Sequence, residues 1–487
     1  MQIINWVLFA LSTILIFMFF SASVRENERR AALLALVSLV GNACVWCLFI
    51  FFYHLNIVRV LNLSAVILIA LFMMVSLIQF FPPIKERDLS FIRKYDERDH
   101  MFSRNTLQNH PDLAKQYYTS HPEKREKDEK IHSKPELGDP GHFFYDSYRT
   151  PIFEAAFKYL YRTRHVSLGE ISQEKKRPGP EEMTRVIKEI AFHYGAVDVG
   201  VTSLKPYHIY SHAGRHAEDW GEKINTTHTY AVVIVTAMGV DMLKSAPGLP
   251  VILESSRQYV ESAKIAHVIA EYIRRFGYDA RSHTDGNYET LCVPLAVDAG
   301  LGALGRMGIF MHPAHGPCVR LSIVTTELEL IPTKVKRKNP NIRSIEAFCT
   351  ICKKCSDNCP TQSICPGEEP VSRGFRHWSI DQEKCFSFWK SMGTDCGFCI
   401  RVCPYTKPNT FIHKLVRFYI SRNSFNQRIA LFLDDLFYGR KIPIPTGRVN
   451  STDNMIELNH FKSTKGKTWK GMSVKGQLEI TIKNRSK

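Results

Sequence analysis

Apolar residues recur along this chain in three different rhythms, and each rhythm predicts a different kind of element. Residues 5–24, 31–53 and 63–81 are nearly unbroken apolar runs. Each has about 20 residues, the length an α-helix needs to cross a hydrocarbon core, so a three-span transmembrane anchor is predicted over residues 1–83. A cleavable signal peptide fits the first run less well, because it lacks a basic start and two further runs follow it. From 84 to 145 the pattern changes to Lys, Arg, His and Glu and reads as a charged linker. Apolar positions then return at helical spacing over 180–194 and 256–276, and as β-branched runs over 197–202, 230–236 and 319–325. Strands alternating with helices predict a mixed α/β core over 146–340. A cysteine-rich module at 341–412 and a basic C-terminal extension at 413–487 complete the division.

The formal net charge is +17. Much of the excess lies beside the apolar runs and in the tail after Gly439, where it suits anionic headgroups or solubility. No zinc-finger spacing or aromatic-basic RNA motif accompanies it, so no nucleic-acid partner is predicted. Arg25, Arg29 and Arg30 lie between the first two runs, and Lys85, Arg87, Arg93, Lys94 and Arg98 follow the third, against Arg59 alone on the other side. The positive-inside rule then places the chain in the inner (cytoplasmic) membrane with the bulk of the protein facing the cytoplasm.

The strongest chemical signal is in the cysteines. Cys349, Cys352, Cys355 and Cys359, followed by Pro360, give the run C-x2-C-x2-C-x3-C-P, in which three thiolates hold one cubane cluster and the fourth crosses to another. The second group is Cys385, Cys396, Cys399 and Cys403, followed by Pro404. One [4Fe-4S] cluster is therefore assigned to Cys349, Cys352, Cys355 and Cys403, and the other to Cys359, Cys385, Cys396 and Cys399. Zinc ribbons and disulfide frameworks explain neither Cys-Pro ending. Cys365, Cys292 and Cys318 fall outside the spacing and read as buried, inert thiols; Cys44 and Cys47, inside the second apolar run, read as packing.

Gly300, Gly302 and Gly305 match G-x-G-x-x-G. A dinucleotide site would need a strand before this turn and a helix after it, whereas a helical stretch at 294–299 precedes it. A turn that lets the backbone approach a large flat ligand fits the context better.

Several blocks, in order, resemble the corrinoid-dependent reductive dehalogenases over about 181–445. They include Gly195 to Val201, Tyr210-Ser211-His212, Ser256 to Tyr259, Arg274 to Ala280, Ala299 to Gly308, Gly316 to Leu321, and the cluster region with Trp389 and Cys396-Gly397-Phe398-Cys399. The resemblance implies an α/β (α+β) nitroreductase-like corrinoid-binding core joined to a ferredoxin-like double [4Fe-4S] module. It implies a cobalamin-type corrinoid, with the lower base off because the chain has no D-x-H-x-x-G signature, bound near Gly300, Gly302, Gly305 and Tyr210. The implied reaction is two-electron reduction of an organohalide to R–H and halide. Tyr259 is the implied proton donor, Arg320 the cation that lowers its pKa, and Asn287 a polar substrate-side residue, with Arg306 the alternative cation.

Most respiratory members of that family carry a twin-arginine export signal and dock on a separate three-span protein. Here the chain is expected to supply its own anchor, and Glu26-Asn27-Glu28 resembles the E-x-E pair of the anchor protein. Electrons are expected from an external donor: a quinol, a membrane oxidoreductase or a ferredoxin. Two alternatives differ in chemistry: a membrane-anchored iron–sulfur carrier without corrinoid, and an epoxyqueuosine-reductase-like cobalamin enzyme.

Overall fold

The computed structural model describes residues 2–81, 92–334, 339–372 and 375–442. Lys85 and Arg87, part of the charge argument above, and the extension beyond 442 lie outside the described residues. The chain divides into two compact units.

One unit contains the N-terminal residues, 339–352 and 407–442. Its first helices are α1 (Gln2–Arg25), α2 (Arg29–Phe51) and α3 (Asn56–Leu77), all long and apolar enough to cross a membrane. Helix α3 begins seven residues before the apolar run because Arg59 is accommodated: its Nε donates to the Tyr53 carbonyl at 2.9 Å. It ends at Leu77, before the run does, because Ile78 is already extended. Helices α1 and α2 share a polar latch in which Asn42 accepts from Ser12 at 2.9 Å and donates to Thr13 at 2.9 Å. Such bonds hold helices together where no hydrophobic difference drives them. The helices Pro340–Cys352, Phe411–Ile420 and Ser424–Tyr438 complete the unit.

The other unit holds the described residues of 85–338 and 353–406. Its strands include β1 (Asp198–Ser203), β2 (Tyr230–Ala237), β3 (Ala280–His283), the short hairpin β4 (Ala303–Leu304) and β5 (Phe310–Met311), and β6 (Val319–Thr326). The four longer strands form one sheet in the order β1-β2-β6-β3, antiparallel at each pairing. Along β2 and β6, Val232, Ile234 and Val324 face one side, and Ala231, Val233, Val235 and Ile323 face the other. The first face packs on α4 (Leu249–Arg274) and on the helix Pro180–His193; the second packs on the helix Cys292–Asp298. Cover on both faces is why β2 and β6 read as continuous apolar runs. Fully buried residues such as Ile265, Ile269 and Ile273 each contribute about 1.5–3 kcal/mol from burial.

From residue 92 onward the charged stretch before residue 145 is folded. Its short helices pack against the helix Gln382–Met392 through Met101, Phe102, Ile131, Phe386 and Trp389. Buried Arg104 bridges Asp128 at 2.5 Å and Glu383 at 2.8 Å, and buried Lys390 reaches Glu136 at 2.8 Å.

Candidate active site and cluster module

Helix α4 carries Ser255 and Tyr259 four residues apart, hence on one face, and β6 brings Arg320 up to them. The Arg320 guanidinium lies 4.8 Å from the centre of the Tyr259 ring, and its Nη2 donates to Ser255 Oγ. Phe157 closes on the same ring at 6.2 Å. Burial pushes the Tyr259 phenol up to about 12, and Arg320 only partly offsets it. This corrects the expected balance: the cation is in place, but desolvation outweighs it.

Two carboxyls that the sequence did not single out join the pair. Burial raises both Asp285 and Asp395; Arg215 and then Arg320 pull Asp285 back, and Arg320 pulls Asp395 back. Tyr288 donates to the Leu321 carbonyl at 3.1 Å. Asp395 immediately precedes Cys396, so the cation beside Tyr259 is tied to the cluster module within one unit. Among the described residues the Tyr259 hydroxyl has no protein hydrogen-bond partner, and Arg320 Nε and Thr236 Oγ1 are buried without one. Thr236 pairs with Arg320 in the β2–β6 register, so these groups share one place. Buried polar atoms are normally satisfied. Two that are not, beside a tyrosine hydroxyl with no protein partner, fit a polar ligand seated between α4 and the β2–β6 end.

Replacing Arg320 by Gln removes the cation stacked on the Tyr259 ring and its bond to Ser255 Oγ. We expect a loss of about 1–3 kcal/mol of stability, read as a lower urea midpoint, with Arg320→Lys retaining part of it. An unchanged midpoint in both variants would contradict this electrostatic account.

The remaining predicted site residues lie elsewhere. The Asn287 amide donates to the Arg164 carbonyl at 3.1 Å and Ser167 Oγ at 2.9 Å, and its oxygen accepts from Arg281; it ties down a loop. Arg306 stacks over Trp378 at 4.0 Å and donates to the Cys365 and Gly367 carbonyls, so Arg320 is the cation at Tyr259. Tyr210 is buried with Ile209 and Ile224, its ring 6.0 Å from that of Tyr95. The helix Cys292–Asp298 precedes the glycine turn and the β4–β5 hairpin follows it, which is not the dinucleotide arrangement. A Cβ on Gly302 would meet the Met311 carbonyl oxygen at 2.1 Å, and one on Gly305 would meet the Met311 side chain at 2.7 Å. Crowding by the chain's own hairpin accounts for those two glycines. Gly300 adopts a positive φ of 73° at the turn.

In the cluster module Cys359, Cys385, Cys396 and Cys399 come together. Burial raises the thiols of Cys385, Cys396 and Cys399, the last to about 12, and the neighbouring thiols raise them further. The three raised thiols, beside Cys359, are unfavourable as thiolates alone, and this donor set fits a cationic iron–sulfur core. Cys355 and Cys403 are buried, and the helix of Cys355 packs on the helix Phe398–Arg401. Cys349 and Cys352 are buried on the helix Pro340–Cys352. Gly316 has its φ at +56°, and a Cβ there would meet the Tyr405 carbonyl oxygen at 2.6 Å, so only glycine lets the chain after Cys403 approach the core this closely. Cys318 is buried as expected, whereas Cys292 and Cys365 are only partly so.

Residues 348–407 match the family model of the 4Fe-4S dicluster domain. The tetrachloroethene reductive dehalogenase of Sulfurospirillum multivorans is 30% identical over 58% of this chain and 63% of its own length. That of Desulfitobacterium hafniense is 31% identical over 43% of this chain and 38% of its own. An epoxyqueuosine reductase of Francisella cf. novicida is 28% identical over 26% of this chain and 35% of its own. The chain thus spans less than two thirds of the curated relatives it matches. The catabolic reductive dehalogenase NpRdhA, solved with 3-bromo-4-hydroxybenzoic acid, shares the fold at a TM-score of 0.57 and 21% identity, over 80% of this chain and 54% of that one. A second reductive dehalogenase structure, described as B12-dependent, matches with a TM-score of 0.57 and 20% identity, over the same shares. This chain thus carries a 4Fe-4S dicluster domain, is similar in sequence to reductive dehalogenases over part of its length, and shares the fold of two solved ones.

Proposed function

We propose that the chain catalyses reductive dehalogenation, R–X + 2 e⁻ + H⁺ → R–H + X⁻, on a small organohalide at the Tyr259–Arg320 site. The observation that carries this reading is the Arg320 cation stacked on a tyrosine whose hydroxyl has no protein partner among the described residues, in a chain similar to the reductive dehalogenases. When bound, two clusters and a base-off corrinoid supply the two electrons that break the carbon–halogen bond. Tyr259, Arg320 and Thr236 would line the corrinoid and substrate side. The eight cysteines Cys349, Cys352, Cys355, Cys403, Cys359, Cys385, Cys396 and Cys399 would hold the clusters in the two sets assigned above.

Tyr259 holds the proton at its phenol oxygen and gives it to the carbon. Arg320 then stabilises the phenolate left behind, a charge that exists only after transfer. Ser255 Oγ accepts from the guanidinium and helps hold it over the ring. The three apolar helices anchor the enzyme, with the catalytic unit on the cytoplasmic side and electrons from an external donor.

The test is halide release by the anaerobic holoenzyme with reduced viologen, across chlorinated ethenes and bromophenols. Release of halide together with the hydrogen-for-halogen product is expected; no product from any substrate while the viologen reduces the clusters would contradict the reading. The pH profile is a further check. A phenol at about 12 keeps its proton at neutral pH, so no loss of rate from tyrosine ionisation is expected between about pH 6 and about pH 9. A falling limb near pH 8, shifted by Arg320→Lys, would contradict a buried, protonated donor.

A further inference from the structure

The C-terminal helices α5 (Phe411–Ile420) and α6 (Ser424–Tyr438) belong to the same compact unit as the apolar helices, and side chains pin them to one end of it. Asn423 donates to the Val75 and Ile78 carbonyls at 3.0 and 2.8 Å, Asn426 donates to the Ser76 carbonyl at 2.9 Å, and Arg422 donates to the Leu77 carbonyl at 2.7 Å. These bonds cap the last turn of α3. On the other side, His413 contacts Glu26, in the turn between α1 and α2, at 2.6 Å.

Two ring contacts give the depth. Phe425 meets Phe72 at 6.1 Å, and Phe437 meets Phe19 at 4.9 Å. At 1.5 Å per residue, Phe72 is about 7 Å inside the end of α3 and Phe19 about 9 Å inside the end of α1. Both ends of α6 therefore touch the apolar helices below their termini. On the outward side Phe411, Phe418 and Phe432 are 64%, 51% and 66% exposed. Residues 411–440 carry five basic residues (Lys414, Arg417, Arg422, Arg428, Arg440) against two acidic ones (Asp434, Asp435), a net +3. Lys414 and Arg428 are exposed.

We propose that α5 and α6 lie in the interfacial layer of the bilayer as a collar around the spans, their phenylalanines among the acyl chains and Lys414 and Arg428 on anionic phospholipid headgroups. The proposal rests on the reading that α1, α2 and α3 cross the membrane. A hydrophobic face at this depth with basic residues beside it is the chemistry of an interfacial helix. Water would have to solvate the exposed rings otherwise, at a level where the neighbouring helices stand in hydrocarbon.

The experiment places p-benzoylphenylalanine at Phe432, Phe418 or Leu68 of the full chain, in phosphatidylethanolamine vesicles containing about one quarter phosphatidylglycerol. After illumination, phospholipid adducts are read by mass on the labelled peptides. Leu68, 65% exposed and mid-way along α3, reports the spans themselves. Lipid adducts at all three positions are expected, with phosphatidylglycerol enriched about twofold over its share at Phe418 and Phe432. That enrichment disappears in the double variant Lys414→Gln, Arg428→Gln. Adducts at Leu68 with only protein or no adducts at Phe432 and Phe418 overturn the collar while leaving the spans in place, and no adduct at any position overturns the spanning reading itself. Enrichment that survives the double variant overturns the headgroup assignment.

Discussion

Tyr259→Phe lowers dehalogenation by about 10²- to 10⁴-fold while leaving iron content and fold intact. The substitution removes one oxygen and keeps the ring, so the contacts with Phe157 and the Arg320 guanidinium persist. The missing hydroxyl has no hydrogen-bond partner among the described residues, so nothing in the protein is left unsatisfied by its loss. The defect should therefore fall on turnover alone. Halide release and melting temperature measured on the same preparation decide it: undiminished turnover removes Tyr259 as proton donor, and a large drop in melting temperature makes it structural.

Cys399→Ser is expected to have the second large effect, losing about half the iron and all turnover. Cys399 lies beside Cys359, Cys385 and Cys396, so its replacement removes one of the four thiolates assigned to that cluster and weakens the hold on its iron. Cys365→Ser is the control. That thiol donates to the Glu368 carbonyl at 3.3 Å, outside the cluster spacing, and iron content should not change. Full iron in Cys399→Ser, or lost iron in Cys365→Ser, would refute the ligand scheme.

How much of this was legible in the sequence depended on the range over which each signal acts. Strands β2 and β6 announce themselves because a strand covered on both faces must be apolar throughout, and α4 does so through its long periodic run. The cysteine spacing is equally local. Strand β3 gave no signal: Ala-Arg-Ser-His has no apolar alternation and becomes a strand only by pairing with β6. The charged stretch before residue 145 looked like a linker because its partners are far away in sequence; Arg104 finds Glu383 across 279 residues. Sequence separation likewise hid Asp285 and Asp395, 35 and 75 residues from Arg320, which come near its charge only in the fold. The positive φ at Gly300 agrees with a turn, but the packing of Gly302 and Gly305 on Met311 is a demand of the hairpin itself. Asn287 fell at a plausible position in the block order, yet its amide serves the loop at Arg164 and Ser167.

The central claim is that this chain couples iron–sulfur electron carriers to a corrinoid beside Tyr259. The most direct test is cobalt and iron per chain in anaerobically purified, full-length protein made with a corrinoid supply, together with the paramagnetic resonance of the cobalt. About one cobalt and about eight irons, with a base-off Co(II) signal, is the predicted result. About eight irons without cobalt would contradict it and leave a membrane-anchored electron carrier.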